Sequence, residues 1–302
     1  MTHTHSARET HRTRLAIAFG ITAAILVAEI IGAILTGSLA LLVDAAHMLT
    51  DAGGLLLALM AATLSLRPPS SRYTWGLRRT EVLAATTQAA ILLAVGIYAL
   101  VEGIIRLSSP PEVSPTGLLI FGIIGLAGNV AAIAVLNSSR SANLNLRAAF
   151  LEVVVDALGS VAVIISAIVI AVTGWAGADA VAAMLISAFI IPRALLLLRE
   201  TSHVLLEAAP RGLDLDEVRE HILRVPHVVS VHDLHASQIA TGLPTLSAHV
   251  VVTDECFHDG HASTMLADLQ SCVAEHFELS IEHSTFQLES AESHPHEHAA
   301  HD

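Results

Sequence analysis

The chain has 302 residues, 53% of them hydrophobic and only 14% charged, with a mean hydropathy of +0.65. Globular domains carry about 25% charged residues, so the composition argues against a mainly soluble protein. A net charge of -13 without a basic patch argues against a nucleic-acid binder, and two cysteines, Cys256 and Cys272, with no CxxC, cannot build a disulfide framework.

A membrane-spanning helix needs about 20 mainly apolar residues. Six such stretches follow one another, at about 15–36, 39–64, 81–106, 116–137, 148–173 and 177–198. Turn-forming segments separate them, among them Thr36-Gly37-Ser38, Arg67–Arg72, Ser108–Pro111 and Thr173-Gly174-Trp175. The first stretch is too long for a signal peptide and lacks a small-residue cleavage site. Arginine sets the orientation. Arg8, Arg12, Arg14, Arg67, Arg72, Arg78, Arg79, Arg140, Arg147, Arg193 and Arg199 fall on one side of a six-span arrangement and only Arg106 on the other. Positive charge stays inside, so both termini are expected in the cytoplasm, and with no targeting segment the membrane is expected to be a bacterial inner membrane.

Charge then shifts abruptly. Up to residue 209 the chain carries 12 arginines and 12 acids; beyond it come 3 arginines and 16 acids. Fourteen of the 18 histidines lie from His203 onward. Residues 210–290 read as a small α+β domain: a helix opened by Asp214–Glu217, strands over 228–240 and 245–252, a helix over 261–277 and a strand over 279–288. The segments 1–14 and 291–302 are His-containing tails, the second biased enough to be disordered. Terminal His3, His5, His11, His294, His296, His298 and His301 are either loose ion captors or solvated tail.

Ionisable side chains inside hydrocarbon cost several kcal/mol and mark function by default. The second stretch holds Asp44, His47 and Asp51; the fifth holds Glu152 and Asp156. His47/Asp51 and Glu152/Asp156 are each four apart, one helical turn, and so share a face. Two helices that each offer such a pair can close a four-ligand cation site, with zinc or a harder divalent ion as cargo. Polar packing between helices is the competing reading. A metalloprotease would need HExxH, which is absent. Of the lesser features, Asn129 and Glu102 read as structural, Arg78, Arg79 and Glu81 as an ion-pair lock or interfacial anchors, and Asp179 as a residue near the outer mouth.

Ser38–Gly53, Tyr73–Ala85, Ala149–Ile164 and His232-Asp233-Leu234-His235 resemble the cation diffusion facilitator family of zinc and heavy-metal exporters, over about residues 8–290. The resemblance implies an α-helical membrane protein of six transmembrane helices plus a C-terminal ferredoxin-like cytosolic domain, in a homodimer. It implies exchange of a divalent cation for protons, with His47, Asp51 and Asp156 in the transport site. Glu152 stands where zinc members usually have histidine. Glutamate can ligate zinc, but the site becomes harder and one charge more negative, which admits manganese, iron, cobalt or cadmium. His47 and Glu152 are the expected proton carriers. The loop 65–79 contains no His, Asp, Glu or Cys, so no metal site is expected there. The resemblance also implies that His232, His249, His261 and His283 form zinc sites that brace the dimer. The aspartate that often follows the last of them is replaced by Ser284 and Thr285, which leaves Asp233, Cys256, His258 and Asp259 as candidate additional ligands. His221, His227 and His276 read as structural.

The function expected from all this is a proton-coupled antiporter exporting divalent metal, zinc foremost, and not an enzyme. The alternative is a membrane-anchored metal sensor or buffer, in which the cytosolic histidines work and the helices only anchor.

Overall fold

A computed structural model describes residues 3–65, 67–137, 144–258, 260–277 and 279–290. The chain forms two compact units, one from Met1–Leu56 and Thr87–Leu197, the other from Leu57–Thr86 and Leu198–Asp302.

Six long helices come first: α1 (His3–Thr36), α2 (Leu39–Ser65), α3 (Thr80–Ser108), α4 (Pro115–Asn137), α5 (Leu144–Thr173) and α6 (Gly177–Leu205). They coincide with the six apolar stretches, except that α1 starts twelve residues before the stretch opening at 15, within the expected tail. Among the described residues, five segments are long and apolar enough to cross a membrane, in α1, α3, α4, α5 and α6. The chain is thus an integral membrane protein. α4 packs against both α1 and α5. A core of Ala33, Leu39, Val43, Leu92, Leu118, Val163 and Ile186 joins all six helices. Ala182, Ala183 and Ala194 line the same core. Small residues of this kind let membrane helices approach closely where lipid offers no hydrophobic drive.

The turn between α1 and α2 is fixed by three devices. Gly37 adopts φ +69°, a left-handed conformation that only glycine takes without strain. Arg106, paired to Glu102 at 2.9 Å, donates through Nη1 to the Gly37 carbonyl at 2.9 Å. Asp179, in the first turn of α6, accepts from the Ser38 hydroxyl, from Leu39 N at 2.6 Å and from Ala40 N at 3.4 Å. It is a buried N-cap for α2 supplied by another helix. Loss of a cap costs about 0.5–2 kcal/mol, and stranded buried donors add about 1–3 kcal/mol. Asp179→Ala should therefore lower the thermal midpoint of the solubilised protein by an amount equivalent to about 2 kcal/mol or more. A midpoint equal to wild type would remove the cap from the account.

The second unit contains α7 (Leu215–Leu223), β1 (Val228–Ala240), β2 (Leu243–Val252), α8 (Glu255–His258), α9 (Ala262–Glu275) and β3 (His283–Ser290). Asp214 caps α7 by accepting from Asp216 N. The sheet runs β1-β2-β3, antiparallel across β1/β2 and parallel across β2/β3. Val218 and Ile222 of α7 and Met265, Leu269 and Val273 of α9 pack with Val250, Val252 and Phe286 of the sheet. That is the two-layer α+β unit expected, with the short α8 added. In the same unit Arg79 pairs with Glu207 at 2.7 Å, and Glu81 accepts from the Thr241 hydroxyl at 2.8 Å. Arg79 and Glu81 thus find separate partners.

Candidate metal sites

Helical periodicity brings Asp44, His47 and Asp51 to one face of α2 and Glu152 and Asp156 to one face of α5. His47 is the hub. Its Nε2 lies 3.5 Å from Asp51 Oδ2 and 3.9 Å from Asp156 Oδ1. His47 and Asp156 are 3% and 5% exposed, and neither Asp156 Oδ1 nor His47 Nδ1 has a hydrogen-bond partner among the described residues. A buried carboxylate oxygen and an imidazole nitrogen facing each other at these distances leave a position between them that a cation can take. Glu152, one turn before Asp156, is oriented differently: its Oε1 accepts from Arg193 Nη2 at 3.0 Å. Arg193 Nη1 also reaches to 3.9 Å from Asp51 Oδ2. The four expected ligands therefore converge, joined by an arginine of α6 that the sequence had placed only as a flanking charge.

A second acidic layer adjoins this site. Glu29 of α1 is 1% exposed and interacts electrostatically with Asp44 and Asp156. Glycines make the room: a Cβ on Gly125 would come within 3.1 Å of Glu29 Oε1, and one on Gly159 within 3.0 Å of Asp44 Oδ1. Asn129 donates to the Ser160 hydroxyl at 3.3 Å beside them. Glu29 was missed in the sequence reading, although a lone acid inside the first apolar stretch is the same signal that singled out Asp44.

In the cytosolic sheet, the β1/β2 register sets His232 opposite His249, with their ring centroids 5.1 Å apart. Glu289 of β3 completes the group. Its Oε2 is 3.4 Å from His232 Nε2, and its Oε1 is 2.8 Å from His249 Nδ1. One ligand atom from each of the three lies within 4.8 Å of the others. Two imidazoles and a buried carboxylate are a donor set suited to zinc. A metal held there would tie all three strands together.

The other two expected cytosolic ligands stand elsewhere. His283 pairs with Thr245, whereas His249 pairs with Gln287. Four strand positions separate them, about 13 Å. His283 instead meets the edge of Trp75 at 5.5 Å. His261 stands at the N-terminus of α9, with its ring 6.3 Å from that of His227. Of the additional candidates, Cys256 is buried beside the Thr253 hydroxyl at 3.4 Å and His258 Nδ1 lies 2.9 Å from the Asp254 carbonyl. Asp233 occupies a left-handed position, φ 47°, at the irregularity between His232 and His235, and Asp259 lies outside the described residues. Burial raises the thiol pKa of Cys272 above its ordinary value.

Residues 15–206 match the cation efflux transmembrane domain and residues 210–291 the cation efflux protein cytoplasmic domain. The chain belongs to the cation efflux family, also called cation diffusion facilitators. Members of this family are transporters, not enzymes. It is 40% identical over 289 residues to the metal cation efflux system protein CzcD of Cupriavidus metallidurans, covering 96% of this chain and 90% of that one. It is 38% identical over 297 residues to the zinc transporter ZitB of Escherichia coli K12, covering 96% and 93%. A Bacillus velezensis relative described as a cadmium, cobalt and zinc/H(+)-K(+) antiporter is 37% identical over 294 residues, covering 96% and 93%. The cytoplasmic-domain match, residues 210–291, spans the unit in which His232, His249 and Glu289 of this cation efflux protein meet.

Proposed function

We propose that the chain is a proton-coupled antiporter that exports divalent metal cations from the cytoplasm, with zinc as its main cargo. The observation that carries this is the meeting of His47, Asp51 and Asp156 from two helices at 3.5 and 3.9 Å inside an apolar bundle. Relatives described as zinc, cadmium and cobalt transporters support the choice of cargo. Metal replaces protons on imidazole and carboxylate, because ligands must be deprotonated to bind. Export follows as the helices rock about a site near the midplane. In this reading α2 is the sixth span, both termini face the cytoplasm of a bacterial inner membrane, and the cytosolic unit is a ferredoxin-like module that pairs two copies. His232, His249 and Glu289 hold a structural or regulatory zinc, and His261 and His283 stand apart from it.

Uptake of zinc, cadmium, cobalt, iron(II) and manganese into sealed proteoliposomes under an imposed pH gradient tests the proposal. Wild type is expected to move zinc fastest. Glu152→His is expected to reorder the ions, raising zinc over manganese by about tenfold, because an imidazole replaces a hard carboxylate. Binding without flux for every ion would replace transport by a membrane-anchored sensor.

A further inference from the structure

We propose that Arg193 is a tethered cation that competes with the transported metal for the carboxylates of the membrane site, and that it thereby sets the affinity and ion preference of the site. This rests on the reading of His47, Asp51, Glu152 and Asp156 as the transport site. Arg193 belongs to α6, whereas the four ligands belong to α2 and α5. Its guanidinium contacts Glu152 Oε1 at 3.0 Å and lies 3.9 Å from Asp51 Oδ2. The same Asp51 oxygen is 3.5 Å from His47 Nε2. The oxygen that a metal on His47 must share is therefore one that the guanidinium already faces.

A divalent ion bonded to Asp51 and Glu152 would sit a few ångströms from a fixed positive charge. Like charges that close in a partly desolvated site repel strongly. Arginine cannot escape by losing its proton. It can withdraw, and its side chain, 51% exposed, has open space to enter. In the metal-free site the guanidinium offsets negative charge on Asp51 and Glu152, a role that a bound cation takes over. A neutral side chain at 152 would need no such partner.

Competition falls unevenly on different ions. An ion satisfied by His47, Asp51 and Asp156 meets Arg193 only at Asp51, and so gives up less than one that also needs Glu152. A hard ion that requires more oxygen ligands must take Glu152 from Arg193 and loses most. Arg193 therefore favours zinc over manganese.

The experiment is the KM for zinc and for manganese in proteoliposomes of wild type, Arg193→Gln, Arg193→Lys and the double variant Glu152→Gln/Arg193→Gln. Arg193→Gln is expected to lower the zinc KM about tenfold, equivalent to about 1.4 kcal/mol, and the manganese KM further. Arg193→Lys keeps the charge but loses the forked contact, so its zinc KM should lie between those of wild type and Arg193→Gln, and in the Glu152→Gln background the arginine substitution should lower the zinc KM less than it does alone, since only the contact with Asp51 is left to remove. A zinc KM that is unchanged or raised by Arg193→Gln overturns the proposal. If wild type carries no metal, the transport reading fails by itself. Competition is then read from equilibrium zinc binding to the solubilised full chain, at the site that Asp51→Ala removes. Tighter binding in Arg193→Gln supports the proposal and unchanged binding overturns it.

Discussion

Asp156→Asn is expected to lower zinc flux into sealed proteoliposomes at least about 100-fold. The substitution preserves shape and removes one negative charge. Asp156 is 5% exposed, and its Oδ1 faces His47 Nε2 at 3.9 Å with no hydrogen-bond partner among the described residues. The oxygens of a structural carboxylate buried this deeply would be satisfied by donors; among the described residues the Oδ1 of Asp156 meets only the His47 ring. Loss of a residue that only supports a metal ligand typically costs about 10–100-fold, so loss of the ligand itself should exceed that range. Asp51→Asn should act alike, since the Asp51 oxygen sits 3.5 Å from the same imidazole. A folding defect is separated by thermal melting of the solubilised variants. A well-folded Asp156→Asn protein with flux within threefold of wild type would take Asp156 out of the site.

The second large effect lies in the cytosolic unit. Zinc at about 100 times its dissociation constant stabilises a protein that binds it only when folded by about 2.7 kcal/mol. Glu289→Gln is expected to abolish most of that increment, because its carboxylate touches both His232 and His249. His283→Ala should keep the increment, since His283 stands at the other end of β3. Unfolding of the full chain can be followed by the fluorescence of Trp75 in a Trp175→Phe background, as Trp75 packs within this unit. His283→Ala needs an independent probe such as circular dichroism, because it removes the ring against Trp75. A zinc shift that survives Glu289→Gln would move the metal elsewhere.

The helices were legible because membrane spans are written in composition, and β1 was found at its observed limits, 228–240, from its alternation and flanking turns. His47, Asp51 and Asp156 were legible because charge in hydrocarbon is rare and helical spacing is regular. The remainder depended on tertiary geometry. Glu289 carries no spacing signal; it reaches His249 only through a parallel β2/β3 ladder whose register no local pattern specifies. His261 and His283 have suitable chemistry, but strand or helix membership does not say which residues along an element will meet. Arg193 was counted for orientation, as a charge at the end of a span, and its reach to Glu152 becomes visible only once α6 lies beside α5. The capping role of Asp179 was hidden for the same reason, its partners lying some 140 residues earlier in the chain.

That cap has a mechanical consequence. Asp179 fastens the start of α6 to the start of α2, while Arg193 of α6 meets Asp51 of α2 farther along both helices. Twelve residues separate Leu39 from Asp51 and fourteen separate Asp179 from Arg193, distances of about 18 and 21 Å at helical rise. Two arms of nearly equal length are thus pinned at one end and clasped at the other by a contact that ions can break. An angular change of a few degrees at the pin becomes more than an ångström at the clasp, enough to part a guanidinium from a carboxylate without unwinding either helix.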